Sequence, residues 1–379
     1  MTLVLTPEAE IIRDTARQFF DKRSPVSALR ALRDRRDPDG FSRPLWHDMA
    51  ELGWAGFLVP EAYGGSEFGI GGLALALEAA GRTLAPTPLF STALLGASAL
   101  VLGGSDEQKR EFLPGLVSGQ HLFAVALEDA AHHAPQPMTT RAERTANGWR
   151  LNGTKPFVMD GGVADIFIVA ARVDGEALEG NAVGLFLVPR IAAGVSTTPH
   201  LMVDNRNAAT IRLTDVALGE DAELREPHRG VDLLDRLLQR AYVGLAAESL
   251  GLAAEAFDRT LQFLKERRQF GVAIGSFQAL KHRAALMFCE LELLRSAVRG
   301  AVEAQELGAE NASALASVAK AKACDALWLI SNECIQMHGG IGTTDEHEIG
   351  FFLKRARVIQ RAFGDASFHR SRYAAQVGY

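Results

Sequence analysis

The spacing of apolar residues changes twice along this chain, and the two changes limit the folds that it can adopt. Near the start, Thr6 and Pro7 provide a helix cap and a first helical residue. Behind them, apolar side chains recur at helical spacing: Ile11, Ile12, Ala16, Phe19 and Phe20. Helical patterns continue to about residue 120, and turn residues between Gly53 and Gly65 interrupt them. We therefore expect an N-terminal helical domain over residues 1–120.

The middle of the chain contains short apolar runs instead, separated by turn pairs such as Asn147-Gly148 and Asn152-Gly153. The runs are Phe123–Leu127, Trp149–Leu151, Asp165–Ala171 and Gly184–Val188. They predict a compact β domain over residues 121–228. From Gly230 onward long helical patterns return, which predicts a helical domain over residues 229–379. The order of helices, strands and helices indicates an α+β fold.

Composition and charge exclude several functions. The 379 residues are 47% hydrophobic, enough for two or three domain cores. A net charge of -6 and a pI near 6.0 do not favour nucleic acid as a partner. No run approaches the roughly 18 apolar residues that a membrane span needs. Residues 1–8 resemble neither a secretory leader nor a transit peptide, so we expect a cytoplasmic protein.

Cysteine and histidine spacing predicts no metal site. Cys289, Cys324 and Cys334 are widely spaced in helical segments, and we expect buried thiols rather than disulfides or metal ligands. His132 and His133 are adjacent, but neighbouring side chains point in different directions and no third ligand is suitably spaced. We interpret this segment as a loop.

Three segments, in this order, carry a family resemblance. They are Val59–Gly65 (VPEAYGG), Glu266–Gly271 (ERRQFG) leading to Phe277-Gln278, and Gln336–Gly342 (QMHGGIG). Each is weak alone, but together they extend over nearly the whole chain and match its helix, strand and helix order. In this combination the chain resembles the acyl-CoA dehydrogenase family. The resemblance implies an N-terminal helical domain, a central β-barrel, and a C-terminal four-helix bundle that forms the core of an oligomer.

The resemblance also implies FAD as cofactor, an acyl-CoA thioester as substrate, and electron-transfer flavoprotein as redox partner. In the family, the second and third segments reach the pyrophosphate and adenosine of a neighbouring subunit's FAD. The implied cofactor-binding residues here are Arg267, Gln269, Phe270, Gln278, Gln336, Met337, His338, Gly339 and Gly340. The neighbour would be a second copy or a second dehydrogenase subunit, in a dimer or tetramer.

The chemistry of these residue types agrees with such a role. Arg267 offers a planar fork for phosphate oxygens, and Gly339 and Gly340 let backbone N–H groups approach an anion without a Cβ between them. The alternative is that Arg267 and Arg268 are solvated charges at a helix end and the glycines a helix stop. His338 is expected to be a packed histidine rather than a base.

The usual catalytic base is missing. The family's reaction removes the α proton of the thioester with a carboxylate while the β hydrogen leaves as hydride to the flavin. Most members carry that carboxylate just before a glycine that corresponds to Gly364, and Phe363 stands there. Others carry it on the first long C-terminal helix, ten residues before a glycine matching Gly251, and Ala241 stands there. The arginine that usually follows is replaced by Tyr242. A general base contributes about 10²–10⁴-fold, so its loss is a major departure.

The middle domain departs from the family as well. The segment that lies over the flavin is replaced by Leu127–His133 (LEDAAHH), and the family's Trp-Ile-Thr becomes Phe157-Val158-Met159. Hydroxyl donors to the flavin ring are therefore lost. The chain keeps groups that a subunit lends to its neighbour's FAD and lacks those that hold its own flavin ring.

This asymmetry resembles the degenerate subunits of bacterial heterotetrameric dehydrogenases, including those of steroid side-chain breakdown. We favour a base-less subunit that completes the FAD site of a catalytic partner in fatty acid or steroid catabolism. One alternative is a self-sufficient dehydrogenase whose base has moved to Glu248 or Asp365, although either acid could instead serve helix packing or capping. Another is a flavoenzyme for a step without an α-proton base, such as elimination of a group already on the thioester.

Overall fold

The computed structural model describes residues 5–135, 138–174, 183–225 and 227–379. Residues 1–4, on which part of the leader prediction depends, lie outside these ranges. The chain divides into two compact units. The first contains the residues up to Ala31, Ala74–Ala85 and Tyr242–Tyr379, and the second contains Leu32–Leu73 and Pro86–Ala241.

The predicted N-terminal helices are present. They are α1 (Pro7–Arg23), α2 (Val26–Asp34), α3 (Arg43–Glu51), α4 (Gly69–Thr83), α5 (Ala97–Gly103) and α6 (Asp106–Val117). The Thr6 hydroxyl caps α1 by accepting a hydrogen bond from the backbone N–H of Ala9. The VPEAYGG segment contains a short 3₁₀ helix at Glu61–Tyr63. A π-helix at Leu89–Gly96, which the sequence did not indicate, leads directly into α5.

The middle of the chain forms one sheet, with a core around Trp149, Phe167, Val169 and Phe186. Its strands are β1 (Phe123–Ala126), β2 (Arg141–Thr145), β3 (Gly148–Met159), β4 (Ile166–Asp174), β5 (Val183–Pro189), β6 (Val195–Pro199), β7 (Ala208–Leu218) and β8 (Glu223–Leu224). The order is β6-β7-β3-β2-β4-β5-β8, and β1 pairs in parallel with β4. Among the described residues β6 and β8 do not pair, so the ladder stays open where a barrel would close.

The last part of the chain is helical except for a two-stranded hairpin. Its elements are α7 (Gly230–Glu266), β9 (Arg268–Gln269), β10 (Val272–Ala273), α8 (Gln278–Glu306), α9 (Ala312–His338), α10 (Ile349–Arg361) and α11 (Ala366–Gln376). A 3₁₀ helix at Gly339–Thr343 follows α9 directly. The α+β fold with helical, β and helical regions in chain order is thereby confirmed.

Close contact between α4 and α7 in the first unit depends on two helical glycines. A Cβ added at Gly81 would lie 2.2 Å from the carbonyl oxygen of Glu248, and one at Gly251 would lie 1.8 Å from that of Glu78. Both distances are far below van der Waals contact, so larger residues would force the helices apart. The helical glycine at position 251 therefore has a packing role.

The cysteine prediction was only partly right. Cys324 and Cys334 are buried free thiols, but Cys289 is exposed. Cys289 follows the fully buried Met287 by two residues on α8, and two residues turn a helix by about half a revolution. Within the described ranges no His, Cys, Asp and Glu cluster could hold a metal ion, and no helix there is long and apolar enough to cross a membrane.

Candidate functional site

A short hairpin follows the end of α7 and contains most of the second motif. Strands β9 and β10 pair in antiparallel fashion, Val272 with Gln269 and Ala273 with Arg268. The two residues between them, Phe270 and Gly271, have φ values of 54° and 80°. Left-handed conformations at both central positions are those of a type I′ turn, which suits the twist of a hairpin. A phenylalanine in this region costs about 1–3 kcal/mol, and such strain is concentrated at functional sites.

The hairpin presents its side chains to solvent. The Phe270 side chain is 91% exposed, and its ring lies 6.2 Å from that of Phe277 in an edge arrangement. The backbone of Arg267 accepts a hydrogen bond from Ile274, which closes the base of the hairpin. The exposed guanidinium of Arg267 has no ion-pair partner among the residues that the structure describes. Gln269 and Gln278 are exposed as well.

The third motif forms the end of α9. Gln336 is exposed, whereas Met337 and His338 are buried, so these two predicted cofactor contacts do not present their side chains at the surface. The helix ends at Gly339, whose φ is 65°. A Cβ placed at Gly339 or Gly340 would meet no atom within 4 Å, so the backbone faces open space. A large group can approach the chain here.

His338 is a packed histidine, as expected. Its Nδ1 lies 2.7 Å from the carbonyl oxygen of Cys334, and its ring stacks on Phe263 at 4.4 Å. Burial and the neighbouring His347 ring lower the pKa of His338. The imidazole is therefore neutral near pH 7.

Neither expected base position carries an ionisable side chain. Ala241 is fully buried on α7. Phe363 lies in the turn between α10 and α11 with φ 53°, followed by Gly364 with φ 93°. The buried Lys320 holds this turn, because its Nζ donates hydrogen bonds to the carbonyl oxygens of Ile359 and Gly364.

The two acids nearest to these positions in sequence have other contacts. Glu248 is buried and forms an ion pair with Arg355, with 3.0 Å between Oε1 and Nη1. Asp365 caps α11 by accepting hydrogen bonds from the amides of Ser367 and Phe368. The bond from Phe368 is the main cause that lowers the pKa of Asp365, which makes it a weak base. These contacts favour packing and capping roles.

The segment Leu127–His133, which replaces the family's flavin-contacting sequence, is anchored by a buried ion pair. Lys155 is fully buried, and its Nζ lies 2.8 Å from Asp129 and donates to the Leu127 carbonyl at 2.9 Å. Burial alone would raise the pKa of Asp129, but the Lys155 charge and hydrogen bonds from Thr140 bring it below the usual value. His133 lies 2.5 Å from Glu128. Glu128, Asp129 and His133 are therefore engaged in contacts within the protein, whereas His132 is exposed.

The replacement of the family's Trp-Ile-Thr lies at the end of β3. Val158 and Met159 are buried, and Phe157 is half-buried. Like Ala241, these side chains offer no hydroxyl donor.

Sequence reasoning missed a polar contact beside Ala241. In the second unit, Nη1 of Arg240 on α7 donates a hydrogen bond of 2.9 Å to the hydroxyl of the fully buried Ser98 on α5. Helical periodicity could have indicated this contact, because Arg240 follows the buried Leu233 by seven residues and the buried Leu237 by three, which places all three on one face of α7. An arginine breaks the apolar pattern of that face.

Comparison with family models agrees with this arrangement. The chain matches the models of the acyl-CoA dehydrogenase N-terminal domain over residues 6–120, the middle domain over 123–216 and the C-terminal domain over 228–378. The fold and these matches define an oxidoreductase of the flavoprotein dehydrogenase class. The chain belongs to the acyl-CoA dehydrogenase family.

Individual relatives are similar over their whole length. The probable acyl-CoA dehydrogenase YngJ of Bacillus subtilis is 31% identical, with 100% of both chains covered. A variant of the steroid ACAD Tcur3481-Tcur3483 is 32% identical, with 98% and 97% covered and a TM-score of 0.88. The ChsE4-ChsE5 complex from Mycobacterium tuberculosis is 25% identical, with 100% and 99% covered and a TM-score of 0.89.

FAD is the cofactor of this family, and the residues present fit one end of it. A glutaryl-CoA dehydrogenase from Mycobacterium smegmatis, in complex with FADH2, shares the fold with a TM-score of 0.88 at 22% identity over 99% and 95% of the chains. In this chain, the exposed Arg267 guanidinium, the Phe270 ring and the open backbone at Gly339 and Gly340 suit a pyrophosphate and an adenosine.

Proposed function

We propose that this chain is the base-less subunit of a heteromeric, cytoplasmic acyl-CoA dehydrogenase and that it completes the FAD site of a catalytic partner. One contrast carries the proposal. The hairpin and the end of α9 are preformed and open to solvent, while Ala241 and Phe363 occupy both positions where the family carries its base. The groups lent to a neighbour are thus kept and those used at the chain's own centre are lost.

Each retained residue has a separable task in this proposal. Arg267 would donate paired hydrogen bonds to pyrophosphate oxygens. Phe270 would cover an aromatic or apolar part of the cofactor, which explains a phenyl ring 91% exposed in the single chain. Gly339 and Gly340 would let the adenosine end approach the backbone. The bound FAD would supply the acceptor for the β hydrogen of the thioester, and the partner would supply the base for the α proton.

Two of the similar structures support a heteromeric assembly. One is the steroid ACAD named as the pair Tcur3481-Tcur3483, and the other is the ChsE4-ChsE5 complex. The likeness to the steroid ACAD favours a steroid side chain as the acyl group. The family resemblance also allows a fatty acid, and it implies that electron-transfer flavoprotein would reoxidise the cofactor. The base-relocation alternative loses support because Glu248 is ion-paired and Asp365 is a helix cap with a lowered pKa.

The experiment compares the lone chain with the co-expressed pair. Purified alone and assayed with acyl-CoA thioesters and an artificial electron acceptor, the chain should show little dehydrogenation and hold FAD substoichiometrically. Co-expressed with the dehydrogenase-like chain of a neighbouring reading frame, it should form an active complex. Robust turnover by the lone chain would overturn the proposal. In that event, a loss of about 10²-fold in Glu248→Gln or Asp365→Asn would identify a displaced base.

A further inference from the structure

Two histidines lie directly beside the segment to which the proposed function assigns the adenosine end of FAD. His338 is the last residue of α9, and its ring stacks on Phe263 of α7 with 4.4 Å between ring centroids. The His347 ring lies 4.5 Å from the His338 ring in a tilted arrangement. All three residues belong to the first compact unit, and we call them the histidine cluster.

The hydrogen bonds of His338 fix its neutral form. Its Nδ1 lies 2.7 Å from the carbonyl oxygen of Cys334, and a carbonyl only accepts, so the ring proton is on Nδ1. The opposite nitrogen, Nε2, then carries a lone pair. It is buried and has no hydrogen-bond partner among the described residues. A proton added at Nε2 would therefore create a buried charged donor without an acceptor, which is costly.

The backbone fixes His347 in its neutral form as well. The amide of Ile349, the first residue of α10, donates a hydrogen bond of 3.1 Å to Nδ1 of His347. This nitrogen must therefore carry a lone pair. A proton on it would set two donors against each other and break the bond. Each histidine of the cluster is thus held by a backbone contact that its neutral form alone can satisfy.

The charged groups around the histidine cluster do not favour an imidazolium. Burial is the main cause that lowers the pKa of His347, the charge of Arg259 adds to it, and Glu348 opposes it. The carboxylates beside Arg259 are already paired with it, since Glu255 and Glu348 lie 2.9 and 2.6 Å from its nitrogens. Burial raises the pKa of the Cys334 thiol to about 12, so this group is neutral. Acidification therefore works against the packed cluster.

The histidine cluster is packed against the segment that the cofactor approaches. The 3₁₀ helix Gly339–Thr343 turns back over His338, so that a Cβ added at the buried Gly342 would lie only 2.9 Å from the Cβ of His338. Such close packing leaves no room for the His338 side chain to shift alone. Its displacement would move the 3₁₀ helix and, with it, the open backbone at Gly339 and Gly340.

We propose that His338 is a positioning residue for FAD: packed in its neutral form against Phe263 and His347, it holds the end of α9 in the shape that the cofactor meets, and its protonation releases that shape. The inference rests on the proposed function, because it assumes that this segment contacts FAD. Packing lowers the pKa of both histidines below the ordinary value of 6.5. The stability that they contribute is therefore complete above that value and is lost as the pH falls below it, because the released rings bind protons more readily. FAD binding should weaken in mild acid.

The first test needs no cofactor. Hydrogen exchange of the full-length chain would be measured at about pH 7.5 and about pH 5.5, and protection over residues 336–343 calculated relative to the intrinsic rate at each pH. One released histidine with an ordinary pKa of 6.5 lowers this protection by up to about 10-fold at the lower pH. The hairpin β9–β10 contains no histidine and should keep its protection at both pH values.

Two variants remove the titration in different ways. His338→Phe keeps a ring against Phe263 without a nitrogen, and His347→Asn keeps an oxygen that can accept from Ile349. Either should reduce the effect of pH on protection, and the double variant should abolish it; if His338→Phe does not fold, His347→Asn decides alone. His47→Asn, at an exposed histidine on α3, is the matched control and should keep the wild-type response. Protection that is independent of pH in the wild type, or unchanged pH dependence in the variants, would overturn the inference.

The second test measures the cofactor. The complex with the co-expressed partner would be passed through gel filtration at both pH values and its FAD content measured by absorbance. The wild type should bind FAD up to about 10-fold more weakly at the lower pH, and the double variant equally at both. A complex without FAD even at about pH 7.5 would overturn the proposed function and this inference with it. Unchanged or tighter FAD binding by the wild type at the lower pH would overturn this inference alone.

Discussion

Lys155 and Asp129 show how single residues fix the segment that departs most from the family. Their ion pair is buried, and Asp129 also accepts hydrogen bonds from the Thr139 and Thr140 amides. Breaking such a pair leaves one charge uncompensated in a low-dielectric environment. The stability of the β-rich unit should therefore depend on the pair.

Lys155→Met is predicted to destabilise the chain by about 3–5 kcal/mol, because it leaves the Asp129 carboxylate buried without a cation. Thermal unfolding followed by circular dichroism would measure the change. The double variant Lys155→Met/Asp129→Asn should recover much of the loss, since the amide keeps hydrogen-bonding capacity without the charge. If the single variant has the same melting temperature as the wild type, the ion pair contributes little to stability.

Contacts of this kind could not be predicted from the sequence. Lys155 and Asp129 are 26 positions apart, and no local pattern pairs them. The absence of a base at Ala241 and Phe363 was predicted from motif positions, whereas no motif indicates the contact between Arg240 and Ser98. The burial of Cys289 was predicted wrongly because apolar spacing on a helix does not show whether a given side is covered by the same chain. On α8 the side that carries Cys289 is exposed in this chain.

Among the elements, the hairpin β9–β10 illustrates a second limit of prediction. Its turn is Phe270-Gly271, whereas sequence rules expect Asn-Gly or Asp-Gly for a two-residue turn. The long helices and the strands β1, β4 and β5 were predicted because burial imposes their apolar periods or runs. The hairpin has no such period, since its strands of two residues are exposed.

Gly271→Ala is predicted to open the hairpin while leaving the helices folded. With φ at 80°, an added Cβ costs about 1–2 kcal/mol, whereas the same change at the helical Gly300 meets open space and should be neutral or stabilising. Hydrogen exchange of the Ile274 amide, which donates to Arg267, would report the opening. Equal protection of this amide in the Gly271→Ala and Gly300→Ala variants would contradict the prediction.

On the scale of the whole molecule, α8 and α9 expose large apolar side chains. Leu286, Phe288, Leu293 and Trp328 are between 52% and 63% exposed. Apolar exposure on this scale usually marks an interface with another chain. It agrees with the oligomeric character of the family.

Trp328→Glu is predicted to weaken assembly, because a charge would replace a large apolar side chain inside the interface. Analytical ultracentrifugation should show the wild type as a species larger than the 40.9 kDa chain and the variant shifted toward that mass. Leu201→Glu, at a position 94% exposed in the β-rich region, is the matched control and should leave the mass unchanged. A wild-type chain that stays at the monomer mass when co-expressed with its partner would contradict this account.

The most direct test of the shared-cofactor proposal is the FAD content of the complex when this chain carries Arg267→Ala. Removing the guanidinium should weaken FAD binding about 10- to 100-fold, because hydrogen bonds to charged groups contribute about 1.5–3 kcal/mol. The variant would be co-expressed with the cognate partner, intact assembly confirmed by gel filtration, and FAD per complex measured by absorbance. Arg268→Ala, an equal change of charge at the next residue, should retain the cofactor. Loss of FAD and turnover with Arg267→Ala alone is the predicted result, and undiminished FAD and turnover would show that Arg267 is only a solvated charge at a helix end.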